Sequence, residues 1–257
     1  MSSIKTPREV KIMQEGGKIL SEVLWEVIDS IKPGITEFDI EKLADRLIRE
    51  KGAEPAFKRV EGYKYATCIS TNSIVVHGIP SDYILQQGDV VGVDCGVFYK
   101  GFNTDMAETI QVKSSKLKVK SSKTEIDRFL ETGRRALEEA LKVAVVGNYI
   151  GHISKTIQDI VEKKNNYSVV RALIGHGVGK KLHEAPEVPG YLTKKIEKTP
   201  RLTPGMTIAI EVIYNMGSSE VVIGKDGWTI ASKDGLLSGL FERTVAITDK
   251  GPMILTV

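Results

Sequence analysis

Two strand-like runs in this sequence are apolar except for a single acid. Val90–Val97 (VVGVDCGV) carries Asp94, and Thr207–Ile213 (TIAIEVI) carries Glu211. A lone carboxylate inside an apolar strand is costly to bury and needs hydrogen bonds, a counter-charge or a metal. A second acid follows each. Asp105 lies in the next run, Phe102–Val112, and Glu242 lies in Phe241-Glu242-Arg243-Thr244. With a hairpin turn centred between Tyr99 and Lys100, Asp94 and Asp105 are expected to stand directly opposite each other. Opposed residues share a face, with Cβ atoms roughly 5 Å apart, and carboxylates that close repel unless cations lie between them. One such acid alone could be a strand charge facing solvent. Four at matched positions, with only Arg243 nearby as a cation in an apolar setting, read as a metal site.

The matched positions belong to a weak internal repeat. Ile31–Ile40 (IKPGITEFDI) aligns with Ala144–Ile153 (AVVGNYIGHI), and Gly88–Asp94 (GDVVGVD) with Gly205–Glu211 (GMTIAIE). Thr104–Met106 aligns with Phe241–Arg243, so Asp105 matches Glu242. Each half reads as a long helix, a short helix and then strands. Thr6-Pro7-Arg8-Glu9, Thr36-Glu37-Phe38-Asp39 and Thr124-Glu125-Ile126-Asp127 open three helices as capping boxes. A fourth helix carries Ile153, Ile157, Ile160 and Val161. Strands are predicted at Ala66–Ile69, Ile74–His77, Val90–Phe98, Phe102–Val112, Val169–Leu173, Thr207–Ile213, Glu220–Ile223 and Thr244–Thr248. This order predicts an α+β fold of two pseudo-symmetric halves, residues 1–112 and 124–257, sharing one sheet. Residues 1–257 are expected to form a single domain.

The chain has 257 residues, 41% of them hydrophobic and 27% charged, which excludes disordered and fibrous classes. No apolar run reaches the ~20 residues of a membrane span, and the start lacks an apolar signal region. Two cysteines cannot make a disulfide framework, so a cytoplasmic location is expected. The net charge of +3 is too mild to imply DNA binding.

Gly175-His176-Gly177-Val178-Gly179 places a histidine between glycines. His176 alone could be a buried, hydrogen-bonded imidazole. Added to four carboxylates, it makes a donor set suited to Mn, Fe(II), Co or Zn. Two such ions would polarise a carbonyl and activate water.

These motifs resemble the type I methionine aminopeptidases, members of the pita-bread metallopeptidases. The resemblance runs from Ile4 to the C-terminus and includes Ser70–Pro80 (STNSIVVHGIP), Gly175–Gly190 (GHGVGKKLHEAPEVPG) and Lys225–Thr229 (KDGWT). It implies a pita-bread fold with an antiparallel sheet core and helices outside. It also implies Asp94, Asp105, His176, Glu211 and Glu242 as ligands of two divalent ions, with Asp105 and Glu242 bridging. A hydroxide bridging the ions would attack, Glu211 would take the proton of the attacking water, and His183 would stabilise the oxyanion. His77 would lie beside the scissile bond and the second residue. Tyr63, Cys68 and Trp228 would form the methionine pocket, although Cys68 and Trp228 could equally be ordinary core residues. The implied substrate is a nascent polypeptide with a small second residue, and the implied enzyme is a monomer. His152 has no implied role and is expected to be exposed.

The chain departs from the family pattern at Val212, Arg243 and Cys95, neighbours of the ligands that could tune the metal. Twenty-eight residues from His183 to Glu211 leave no room for the type II insertion, and the prolidase N-terminal domain is not expected. A dimetal X-Pro peptidase and a non-catalytic binding protein remain as alternatives. Lys113–Lys123 (KSSKLKVKSSK) holds five lysines and reads either as a solvated linker or as a transient contact with ribosomal RNA.

Overall fold

Three of the four helices begin where a threonine hydroxyl and an acid three residues later satisfy each other's backbone donors. In the computed structural model, which describes residues 4–113 and 123–257, these helices are α1 (Pro7–Ser30), α2 (Glu37–Glu50) and α3 (Glu125–Lys142). Most of the lysine-rich run, residues 114–122, lies outside the described residues. The fourth helix, α4 (Ile150–Gln158), continues as a π-helical turn over Asp159–Lys163. Its start is capped by His152, whose Nδ1 accepts from the Tyr149 N–H at 3.0 Å. His152 is half-buried, against the expectation of exposure, because this bond folds its ring onto the helix end. Among the described residues, no helix is long and apolar enough to cross a membrane.

The strands are β1 (Glu54–Pro55), β2 (Thr67–Thr71), β3 (Ile74–Val76), β4 (Val90–Tyr99), β5 (Phe102–Gln111), β6 (Ser168–Val169), β7 (Gly175–Gly177), β8 (Glu184–Val188), β9 (Thr207–Asn215), β10 (Val221–Ile223), β11 (Ile230–Ser232), β12 (Ser238–Thr248) and β13 (Gly251–Ile254). The larger sheet runs β1-β4-β5-β12-β9-β7-β8, with β2 on β4, β6 on β9 and β13 on β12; β10-β11-β3 form a smaller one. All paired strands are antiparallel, as expected for an α+β pita-bread fold.

The halves meet where β5 pairs with β12. Each half buries its own helix pair against the sheet. Leu20, Leu24, Ile40 and Ile48 pack on Val91, Val93 and Met106, and Phe129, Leu137, Ile153 and Ile157 pack on Ile208, Ile210 and Phe241. Cys95 and Val212 belong to these helix-facing cores, so two of the three departures point away from the opposite face of the sheet.

Two strand predictions change. The run Val169–Leu173 pairs only over Ser168–Val169, after which Val170 N–H donates to Ile213 O and the chain leaves the ladder. The run starting at Thr244 begins at Ser238, because the polar residues Glu242 and Arg243 sit inside a paired strand.

Candidate active site

The hairpin register sets the geometry of the acids. Lys100 and Gly101 both adopt positive φ, 46° and 91°, as a two-residue type I′ turn requires. The turn therefore centres on Lys100-Gly101, and Asp94 pairs with Ala107 while Asp105 pairs with Gly96. Asp94 and Asp105 are diagonal neighbours, not opposed as predicted. The displacement is two residues along β5, which keeps both acids on one face; a one-residue slip would have separated them. In the second half Glu211 and Glu242 are directly opposite. Ala107 pairs with Asp94 on one side and Glu242 on the other. Cys68, Asp94, Ala107, Glu242 and Glu211 thus form one row across five strands, on one face. Ala107, missed in the sequence, puts the smallest chiral side chain between the acids of the two halves.

His176 reaches the row from β7. A Cβ at Gly177 would lie 2.2 Å from Ala185 O and one at Gly175 2.5 Å from Ala209 O, so only glycines let β7 pass this close between its neighbours. The His176 Nδ1 lies 2.9 Å from Gly177 O and donates to it, which aims Nε2 into the site. That nitrogen stands 3.4 Å from Glu211 Oε1 and 4.0 Å from Asp105 Oδ2. Donor atoms of Asp105, His176 and Glu242 lie within 4.8 Å of one another.

The electrostatics ask for a cation. Asp105 and Glu242 are 4% and 2% exposed. Burial first, then the neighbouring acids, raises the carboxyls of Asp94, Glu211 and Glu242 well above the usual range, and burial raises Asp105. Asp94 Oδ1 and Glu242 Oε1 are buried without a hydrogen-bond partner. Arg243 does not neutralise the cluster. It donates to Ala107 O, Glu242 O and, at 2.9 Å, to Glu108 Oε2, while Glu108 Oε1 takes Arg134 Nε at 2.8 Å. Burial, then His183, pulls His176 down to about 4, and burial lowers His77 and His183. Neutral imidazoles and orphaned carboxylate oxygens fit divalent ions as a donor set.

All ten candidate metal, catalytic and substrate residues of the sequence line one cavity of about 570 Å³. Its far end is apolar: Tyr63 and Trp228 rings lie 5.1 Å apart, edge on, beside Cys68, Phe57, Val60 and Leu182. The Tyr63 hydroxyl donates to Thr67 O at 2.8 Å, fixing the ring. His77 follows β3 with φ 56°, a left-handed conformation uncommon for a side-chain-bearing residue. His183 packs edge-on against His176 at 4.3 Å.

Buried acids and imidazoles meeting beside an apolar pocket are a donor set of the kind that metallohydrolases use. Residues 11–249 match the profile of metallopeptidase family M24, and the chain belongs to that family. It is 39% identical to a methionine aminopeptidase of Clostridium perfringens, covering 100% of this chain and 99% of that protein. It is 40% identical to methionine aminopeptidase 1 of Bacillus subtilis over 98% of both chains. The crystal structure of methionine aminopeptidase from Thermotoga maritima superposes with a TM-score of 0.92 at 39% identity, over 100% of this chain and 99% of that one. The pita-bread fold is therefore shared along the whole length. Family membership carries with it the use of divalent metal.

Proposed function

We propose that residues 1–257 act as a single peptidase domain that removes the initiator methionine from nascent polypeptides with a small second residue. The observation that carries this is the row of acids from both halves meeting His176 next to an aromatic and sulfur-lined pocket. Asp94, Asp105, His176, Glu211 and Glu242 would hold two divalent ions, Co, Mn, Fe(II) or Zn. When bound, the ions supply Lewis acidity for the scissile carbonyl and acidify water.

The chain's own residues do the rest. Tyr63, Cys68 and Trp228 receive the thioether side chain, which packs well on aromatic and sulfur surfaces. Glu211, lining the cavity, takes the proton of the attacking water. His183, neutral and facing the cavity, donates its N–H to the developing oxyanion. His77 borders the space left for the second residue and limits its size.

The test is turnover of Met-Ala-Ser by metal-stripped protein as each divalent ion is restored. Recovery with at least one of the four ions, and none on Ala-Pro, is expected; preferential cleavage of Ala-Pro would make it an X-Pro peptidase, and no metal uptake a binding protein. The enzyme would work as a cytoplasmic monomer, with Lys113–Lys123 touching ribosomal RNA. Co-sedimentation with ribosomes should then weaken with salt and be lost on Lys→Glu changes in that run.

A further inference from the structure

His183 lies in the segment between β7 and β8, and that segment is tied down on three sides. Val178 N–H donates to Thr207 O at 3.1 Å, and Thr207 Oγ1 donates to Val178 O at 2.5 Å. Asn103, two residues before Asp105, gives its backbone N–H to Gly179 O at 2.7 Å and its Nδ2 to Gly179 O and Lys180 O at 2.9 and 3.1 Å. The third tie comes from the segment before α1. Lys5 Nζ lies 2.7 Å from Glu184 Oε2, and the two side chains are only 2% and 11% exposed. Glu184 Oε1 takes the Lys181 N–H at 3.0 Å, and Lys5 N–H is anchored on Gly205 O at 2.8 Å.

The loop is shaped around this ion pair. A Cβ at Gly179 would lie 2.6 Å from Lys5 Nζ and 2.8 Å from Glu184 Oε1. Glu184 sits beside two of the cavity histidines: it follows His183 in sequence, and its partner across the β7–β8 ladder is Gly177, next to His176. A buried carboxylate held on both oxygens has one position, and the residue bonded to it inherits that position. Removing the ammonium would take the cation from Glu184 Oε2 in a part-buried setting, so Glu184 would shift and carry His183 with it.

We propose that Lys5 is a positioning residue: through its ion pair with Glu184 it fixes the His183 imidazole in the cavity. The inference takes from the proposed function only the role of His183.

The experiment compares metal-loaded wild type, Lys5→Met, Lys5→Arg, His183→Ala and the Lys5→Met/His183→Ala double variant on Met-Ala-Ser. The ¹⁵N-histidine spectra of the same metal-stripped proteins are recorded alongside. Lys5→Met should lower kcat about 10- to 100-fold with KM within about twofold, since sub-ångström to ångström misplacement acts on this scale. Lys5→Arg should recover most of the loss. In the His183→Ala background Lys5→Met should add nothing. The His183 imidazole signals should shift or broaden in Lys5→Met while those of His152 stay in place. Full additivity in the double variant, or unmoved His183 signals in folded Lys5→Met, would overturn the proposal. Full turnover in His183→Ala would instead remove His183 from the proposed chemistry, and the spectra alone would then decide the positioning. If Lys5→Met does not fold, Glu184→Gln replaces it. That variant keeps an acceptor for Lys181 N–H, and unmoved His183 signals there again reject the idea.

Discussion

The two halves bring their acids to the same row by different means. In the first, β4 and β5 are joined by a two-residue turn, and Asp94 and Asp105 stand diagonally. In the second, residues 216–237 separate β9 from β12, and Glu211 and Glu242 stand directly opposite. A tight turn sets register through the backbone alone. A long connection leaves register to the ladder, which runs unbroken from Ser238–Asn215 to Ala246–Thr207. The longer connection also does what the tight turn cannot: through β10 and β11 it brings Trp228 to the cavity. The two halves therefore differ in register and loops while each keeps its acids on the same face.

The strongest way to break this comparison is to remove one acid from each half. Asp105→Asn and Glu242→Gln should each lower kcat/KM on Met-Ala-Ser by about 10²–10³-fold or more, the scale of losing a group that organises transition-state charge. Circular dichroism should show the fold intact. Substantial turnover in only one of them would make its half a scaffold and the other the catalyst.

A weaker effect is expected at the seam. Ala107→Val adds two methyl groups between Asp94 and Glu242 and should weaken divalent-ion binding about 10- to 100-fold by calorimetry, as displaced supporting residues do. Ala107→Gly adds no volume and should keep the affinity; equal loss in both would show that the small side chain is not what the row requires.

The smallest effect separates helix starts. Acid capping boxes begin α1, α2 and α3, whereas His152 caps α4. Bonds from the backbone and side chain of Thr124, then Lys113, hold Asp127 down to about 2. A carboxyl lowered on folding stabilises above its unfolded value near 4 and loses that contribution as pH falls toward 2. Thr124→Ala should cost about 1 kcal/mol at neutral pH, a Tm drop of about 2–4 °C. The difference from wild type should shrink between about pH 4 and 2; a constant difference would mean Asp127 does not act through its charge.

Much of this was legible in the chain itself. Capping boxes are local, so three helix starts could be read from four residues each. The four acids were legible because burial makes a charge in an apolar strand conspicuous. The two-residue displacement of Asp94 against Asp105 was not, because it hinged on which pair of residues would accept positive φ. The short strands β7 and β8 escaped because their pairing rests on glycine clearances and neighbours distant in sequence, not on alternation. The ion pair of the Lys5 segment could not be read either: a lysine before a helix looks solvated until a glutamate 179 residues away closes on it.

The sequence alone determined which residue types carry charge into the sheet and that two copies of one pattern would do so, since side-chain alternation and capping depend only on near neighbours. Only the tertiary structure decided that Ala107 would separate the acids, that Arg243 would turn to Glu108, and that Lys5 would brace Glu184. Those outcomes depend on strand order and register across the seam between the halves, where contacts are long-range and no local rule applies.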